Sequence, residues 1–263
     1  MACCARERGA NLPGQAMRAN FARIIQFNWP FYAAAIATAV GAPAIAAQLP
    51  LMWPIREIVY AGTALIVTWI VTSVAASWIV YDWSRLMEWD WVLQALGFSP
   101  KSWINLHAGY DTSTPALREA FKDADGRVFD IFDAKEMTEP SIRQARRLAR
   151  NVVAAEAVDF HHLPVGTGTI DVATLLLSAH ELRSDQARSA LFSELRRILG
   201  PAGRVVVAEH LRDWANFLAF GPGVLHFQSR RTWTRCFSRH RFDIHREFSI
   251  TPFVRVFVLR RLT

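Results

Sequence analysis

Two long stretches without a charged side chain set the strongest limit on what this chain can fold into. None occurs between Ile24 and Ile55, a run of 32 residues, and none between Ile58 and Tyr81, a run of 24. A helix needs about 20 apolar residues to cross the hydrocarbon core of a bilayer, so each run is long enough to span. A cleaved secretory leader is shorter, starts nearer the N-terminus and is not followed at once by a second apolar run. The alternative is a helical pair buried in a soluble core. Gly41 and Pro43 interrupt the first run, and Pro50 and Pro54 place its end. Only Arg56 and Glu57 separate the two runs, whereas Arg6, Arg8, Arg18 and Arg23 precede the first. The positive-inside rule then keeps the N-terminus in the cytoplasm, and a second crossing returns the chain there. The expectation is a multi-pass protein of the inner (cytoplasmic) membrane with its larger part in the cytoplasm.

Eight of the ten tryptophans fall within the first 103 residues, as anchoring at a membrane interface would require. From Trp83 to Phe98 apolar and charged residues alternate at roughly helical spacing, which predicts an amphipathic connecting helix ended by Gly97, Ser99 and Pro100. The predicted organisation is a tail over 1–23, a transmembrane hairpin over 24–81, a connecting helix over 82–100 and a domain over 101–263. The formal charge of +7 suits nucleic acid, an acidic ligand or an anionic lipid surface. Beside membrane spans the lipid surface is favoured, and no nucleic-acid partner is expected. Cys3, Cys4 and Cys236 supply neither a disulfide framework nor a metal-binding pair, although the first two are candidates for acylation.

After Lys101, strand-like and amphipathic helical runs alternate, the pattern of a parallel sheet covered by helices. Strands are predicted at Trp103–Leu106, Arg127–Phe132, Ala157–Phe160, Ile170–Leu177 and Arg204–Glu209. Helices are predicted at Thr114–Phe121, Glu139–Arg150 and Asp185–Leu199, the last capped by Gly200. Phe242–Phe248 and Phe253–Leu259, joined through Thr251 and Pro252, predict an antiparallel hairpin at a sheet edge. The fold class is thus α/β, a Rossmann-like doubly wound sheet with an antiparallel C-terminal edge hairpin, preceded by two transmembrane helices.

Leu191-Phe-Ser-Glu-Leu-Arg-Arg-Ile-Leu-Gly-Pro-Ala-Gly-Arg-Val-Val-Val-Ala-Glu209 resembles the helix, Pro-Gly-Gly turn and fifth strand of class I S-adenosylmethionine-dependent methyltransferases. Asp159-Phe-His-His-Leu-Pro164 followed by Ile170-Asp-Val172 is similar to the signature that precedes it in that family. The glycine-rich loop after the first strand corresponds to Asn105-Leu-His107-Ala-Gly109-Tyr-Asp111, which keeps one glycine of three. The resemblance implies S-adenosylmethionine as cofactor, with Asn105, His107, Gly109 and Asp111 around its methionine part. It implies Asp130 or Asp133 on the ribose hydroxyls, Met137 favouring Asp133 by its spacing, the alternative being an exposed loop aspartate. It also implies Asp159 on the adenine amino group and Phe160 beside the ring.

In open α/β sheets ligands bind beyond the carboxyl ends of the strands, where the strand order reverses. With the order 3-2-1-4-5 that the resemblance implies, His107, His180 and His210 reach that edge, with Glu181 and Glu209 beside two of them. His180 is the expected general base, with Glu209 and His210 as its catalytic neighbours. The alternatives are hydrogen-bonded linker histidines and a metal cluster. No compact ligand motif is present, so no metal is expected. The aromatic insertion Leu211–Trp233 reads as a packing lid or as the wall of a pocket for a hydrophobic or lipid-like acceptor. Arg230, Arg231, Arg235, Arg239, His240 and Arg241 suit anionic headgroups or a solvated face. Three functions follow: a membrane-anchored methyltransferase, a non-catalytic binding domain of the same fold, and a metal-dependent enzyme on it.

Overall fold

A computed structural model describes residues 13–109, 111–148 and 154–262. Cys3, Cys4, Arg6 and Arg8 lie outside them.

Helix α1 (Pro13–Gln48) runs unbroken through Pro30, Gly41 and Pro43, so the interruption expected at Gly41 and Pro43 does not break it. It stops at Gln48, and α2 (Trp53–Trp78) starts with Pro54 in its first turn, where the missing N–H has no intrahelical partner to lose. Both contain stretches long and apolar enough to cross a membrane. Their apolar side chains face outward: Val40, Leu65 and Val71 are all more than 60% exposed, which excludes the buried core pair. The two helices meet through Tyr32, whose hydroxyl lies 2.9 Å from Ser73 Oγ and whose ring lies 6.4 Å from that of Trp69.

The connection over 82–100 is not one helix. A π-helical turn (Ile79–Trp83), a 3-10 turn (Arg85–Glu88) and α3 (Trp91–Leu96) follow one another. Ser84 is extended and its hydroxyl caps the 3-10 turn, while Trp89 adopts a left-handed conformation (φ 57°). Those two residues break the continuous helix that the periodicity predicts. Leu86, Trp89, Trp91, Val92 and Leu96 still bury their side chains against one face of the sheet.

The domain comprises β1 (Ser102–His107), α4 (Thr114–Ala120), β2 (Asp125–Asp130), α5 (Pro140–Leu148), β3 (Glu156–Ala157), β4 (Ile170–Leu176), α6 (Asp185–Ile198), β5 (Leu199–His210), α7 (Trp214–Phe220), α8 (Arg230–Arg239), β6 (Phe242–Thr251) and β7 (Val254–Arg261). The sheet order is β3-β2-β1-β4-β5-β7-β6, with β7 and β6 antiparallel. The strand order reverses between β1 and β4, as expected. Gly200 is not a helix cap. Strand β5 begins directly at Leu199, which ends α6 in an extended conformation. Val205, Val206, Val207 and Ala208 of β5 are fully buried, because layers cover both faces of a mostly parallel sheet. Ile104, Leu106, Val205 and Val207 join one layer with Phe192 and Trp233, whereas Trp103, Val206 and Ala208 join the other with the connecting segment.

Candidate active site

Strand alternation decides how the polar residues at the end of β5 are used. Glu209 follows the phase of Val205 and Val207, and His210 that of Val206 and Ala208, so neighbours in sequence face opposite layers. Glu209, completely buried, accepts hydrogen bonds from the backbone N–H of Ala179 (2.6 Å) and His180 (3.1 Å), and its other oxygen lies 2.7 Å from His180 Nδ1. His180 sits on the 3-10 turn Ala179–Glu181 that follows β4, pinned by Ser178, whose hydroxyl donates to Leu106 O at 2.8 Å. Its Nε2 lies 3.5 Å from Glu181 Oε1, and the same oxygen is 3.9 Å from His226 Nε2. Burial opposes the charge on His180, but Glu209 and Glu181 outweigh it and push the imidazole up to about 10. Burial likewise opposes the charge on Glu181, yet His180 and His226 hold its carboxyl well below the usual range. Glu181 Oε2 is buried with no hydrogen-bond partner.

His210 has a different task. Its Nδ1 lies 2.9 Å from Phe253 O and so carries the proton, which leaves Nε2 to accept from the Tyr81 hydroxyl at 3.1 Å. Burial and the charge on His180 push His210 down to about 4. It is a neutral link between the end of the α2 segment and the sheet. The three histidines at the strand ends therefore do not form one cluster. His226, on the 3-10 turn Gly221–His226 after α7, joins His180 instead, with ring centroids 5.3 Å apart. Phe227 and Phe220 complete an aromatic roof, Phe227 stacking on His210 at 5.1 Å and standing edge-on to His180 at 6.0 Å. His180, Glu181 and His226 also have the composition of a metal site. However, the Arg183 guanidinium lies 3.1 Å from His226 Nδ1, so that nitrogen must accept and Nε2 must hold the proton, the reverse of a metal-ligating tautomer.

The residues implied for the cofactor are placed as follows. Asn105 is buried in β1 and directed to α4, its amide donating to Ser113 and Thr114 hydroxyls and its oxygen accepting from Thr174. Asp111 accepts from the N–H groups of Ser113 and Thr114 at the start of α4. His107 Nδ1 accepts from Gly109 N at 3.2 Å, and burial lowers its pKa. Asp133 is a loop residue capping Lys135 N, and Asp159 is exposed, with one oxygen on the N–H and ring Nδ1 of His161. Phe160 is buried in the core beside the His161 ring. Asp130 ends β2 directly opposite His107 in the parallel register.

That pair frames a cradle at the crossing of β1 and β2. Gly109 has φ +148°, a conformation that side-chain-bearing residues rarely adopt, and a Cβ there would meet Arg146 Cγ at 2.4 Å. Arg146, from α5, lies over this backbone, its Nη1 donating to Asp130 Oδ1 and Oδ2 (2.9 and 2.7 Å) and to Ala108 O (3.1 Å). Its guanidinium also stacks on Phe132, 4.1 Å from the ring centre. A cleft of about 370 Å³ lined by Phe132, Arg143, Arg146 and Arg147 opens beside it. One position without a side chain, Gly109, next to the strand-end carboxylate Asp130 fits the close approach of an adenosylated amino acid, with the flexible Arg146 to be moved aside. Arg146, His226 and Tyr81 carried no sequence signal, since only the folded chain brings them to the strand ends.

Residues 108–207 match the family model of the methyltransferase domain. A methyltransferase structure from Aquifex aeolicus is similar over 66% of this chain and 91% of its own, at 14% identity and TM-score 0.51. The pyocyanin biosynthetic protein PhzM is similar over 72% of this chain and 59% of its own, at 17% identity and TM-score 0.51. No curated protein matches the sequence. The strand order and the cradle thus coincide with the match to a methyltransferase domain over residues 108–207, in a fold similar to that of an S-adenosylmethionine-dependent methyltransferase.

Proposed function

We propose that the protein is a membrane-anchored methyltransferase acting on a hydrophobic or lipid-like small molecule, with its catalytic domain on the cytoplasmic face of the inner membrane. The observation that carries this reading is the position of the roof: α7 and the turn after it close over His180 and rest on the apolar helix α2, so the acceptor side of the site is aromatic and next to the spans. The excess of basic residues before the first span supports the cytoplasmic orientation.

When bound, S-adenosylmethionine supplies an electrophilic methyl group on a sulfonium. Gly109 and Asp130 would hold it, with Asp130 freed from Arg146 to accept from ribose hydroxyls. The chain then has to orient the acceptor and offset the charge that develops on it. With His180 protonated between two carboxylates, Glu209, His180 and Glu181 retain a net charge of −1. Glu181 Oε2, the buried oxygen without a partner, is the atom placed to accept a hydrogen bond from the acceptor and to hold it in line with the methyl group. Because His180 and His226 hold that carboxyl well below the usual range, it does not keep the proton, which passes to solvent after transfer. His180 orients the carboxylate, rather than acting as the base, and positioning of this kind supplies much of the acceleration.

The test incubates the detergent-purified full chain with a methyl-labelled donor and either the organic or the aqueous fraction of a cell extract. Label in the organic fraction, lost in Glu181→Gln with cofactor binding intact, is the expected result. Label only in water-soluble products would overturn the hydrophobic acceptor. The ion pair between Arg146 and Asp130 favours a second reading, a binding domain that does not turn over. Failure of the protein to bind S-adenosylmethionine or its demethylated product by calorimetry would establish that reading in place of the first.

A further inference from the structure

Helix α7 is amphipathic in the wrong sense for water. Asn216 and Ala219 are buried on its inner side, whereas Trp214, Phe217 and Leu218, at the i, i+3, i+4 spacing of one helical face, are 72, 41 and 52% exposed. Leu225, on the following turn, is also exposed, and the Trp214 and Phe217 rings stack on each other at 5.1 Å. This apolar face continues directly into α2. Thr72 donates from Oγ1 to Leu218 O at 3.2 Å, and the backbone of Gly221 lies so close to Trp69 that a Cβ would stand 2.7 Å from the indole nitrogen. About 20 residues of span counted from Trp53 end at Thr72. Counted instead from Tyr81, the last residue of the charge-free run, Thr72 lies nine positions inside, about 13 Å along the axis. By either count α7 docks on α2 at or below the level where lipid begins.

We infer that the face formed by Trp214, Phe217, Leu218 and Leu225 is seated in the bilayer, so that the roof of the active site is a membrane-embedded lip. The partner is the phospholipid bilayer itself, and the reason is continuity with the apolar surface of α2. An acceptor dissolved in lipid then reaches His180 sideways, past Phe220 and Phe227, without crossing water. The inference rests on the membrane reading of α1 and α2, and the test separates the two.

The full chain, with Cys3→Ser and Cys4→Ser, is labelled with an environment-sensitive fluorophore at single introduced cysteines and placed in phosphatidylcholine–phosphatidylglycerol nanodiscs containing brominated acyl chains. Cys236 can stay, because it is buried and its thiol is pushed up to about 12. The positions are Val71→Cys in α2, Leu218→Cys and Leu225→Cys in the lip, and Thr167→Cys in the exposed loop before β4, at the amino ends of the parallel strands. Quenching at 71, 218 and 225, with none at 167, is expected. Quenching at 71 without quenching at 218 and 225 would overturn the lip and leave the spans in place. No quenching at 71 would overturn both.

Discussion

Arg146→Ala removes a side chain that stands, among the described residues, between a cofactor and the cradle beside Gly109 and Asp130, and it should tighten cofactor binding rather than weaken it. To reach Asp130, a ribose must displace a guanidinium bonded to both carboxylate oxygens at 2.9 and 2.7 Å and to Ala108 O at 3.1 Å. Hydrogen bonds to charged groups are worth about 1.5–3 kcal/mol where water is excluded. Here the arginine side chain is 33% exposed and that of the aspartate 17%, so screening brings the cost down to about 1–2 kcal/mol. Removing it should lower Kd about 5- to 30-fold. The assay is calorimetric titration of the detergent-purified protein with S-adenosylhomocysteine. Arg127→Ala, near the start of β2 and bonded to Pro164 O and Glu156, serves as the control and should leave Kd unchanged. Asp130→Asn should weaken binding in either background. The gap between wild type and Arg146→Ala should narrow as salt is raised, because the pair is partly exposed. An unchanged or weaker affinity in Arg146→Ala would refute the reasoning and make Arg146 a ligand instead of an obstacle.

As far as His180 and His210 decide it, the fold should be most stable near pH 6.5. His180 is raised from 6.5 to about 10, so its contribution is full below 6.5 and is lost as pH rises towards 10; His210 is lowered to about 4, so its contribution is full above 6.5 and is lost as pH falls towards 4. Thermal unfolding in detergent across that range should show both slopes, His180→Asn removing the alkaline one and His210→Asn reducing the acid one, to which His107 and His240 also contribute; a variant whose slope is unchanged would disprove the assignment. Glu209→Gln leaves the His180 charge with only Glu181 beside it and should cost about 3 kcal/mol, read from denaturant midpoints; a loss below about 1 kcal/mol would mean that the pair contributes little. Gly126→Ala would place a Cβ 2.3 Å from the buried Trp103 indole and should cost about 1–3 kcal/mol by the same measurement, and no loss would show that the ring can move.

Composition and periodicity alone located the two apolar helices, because absence of charge over more than 20 residues is a local property of the chain. Period-2 and period-3.6 patterns likewise placed most strands and helices, and the β5 motif implied the sheet order. Local signals failed where a contact decided the outcome. Ser84 and Trp89 break the connecting helix to let Trp91 and Leu96 reach the sheet. Gly200 enters β5 because the strand pairs with β4 from Leu199 onward. For the site, the sequence identified His180 and Glu209 as candidates but ended the strand at Glu209; β5 runs on through His210 because it pairs there with β7, and this turns Glu209 to one layer and His210 to the other. Nor could it show that Tyr81 would meet His210 across 129 positions, or that Arg146 would lie on Asp130. Partners so far apart in the chain leave no periodic trace, and only the packed structure assigns them.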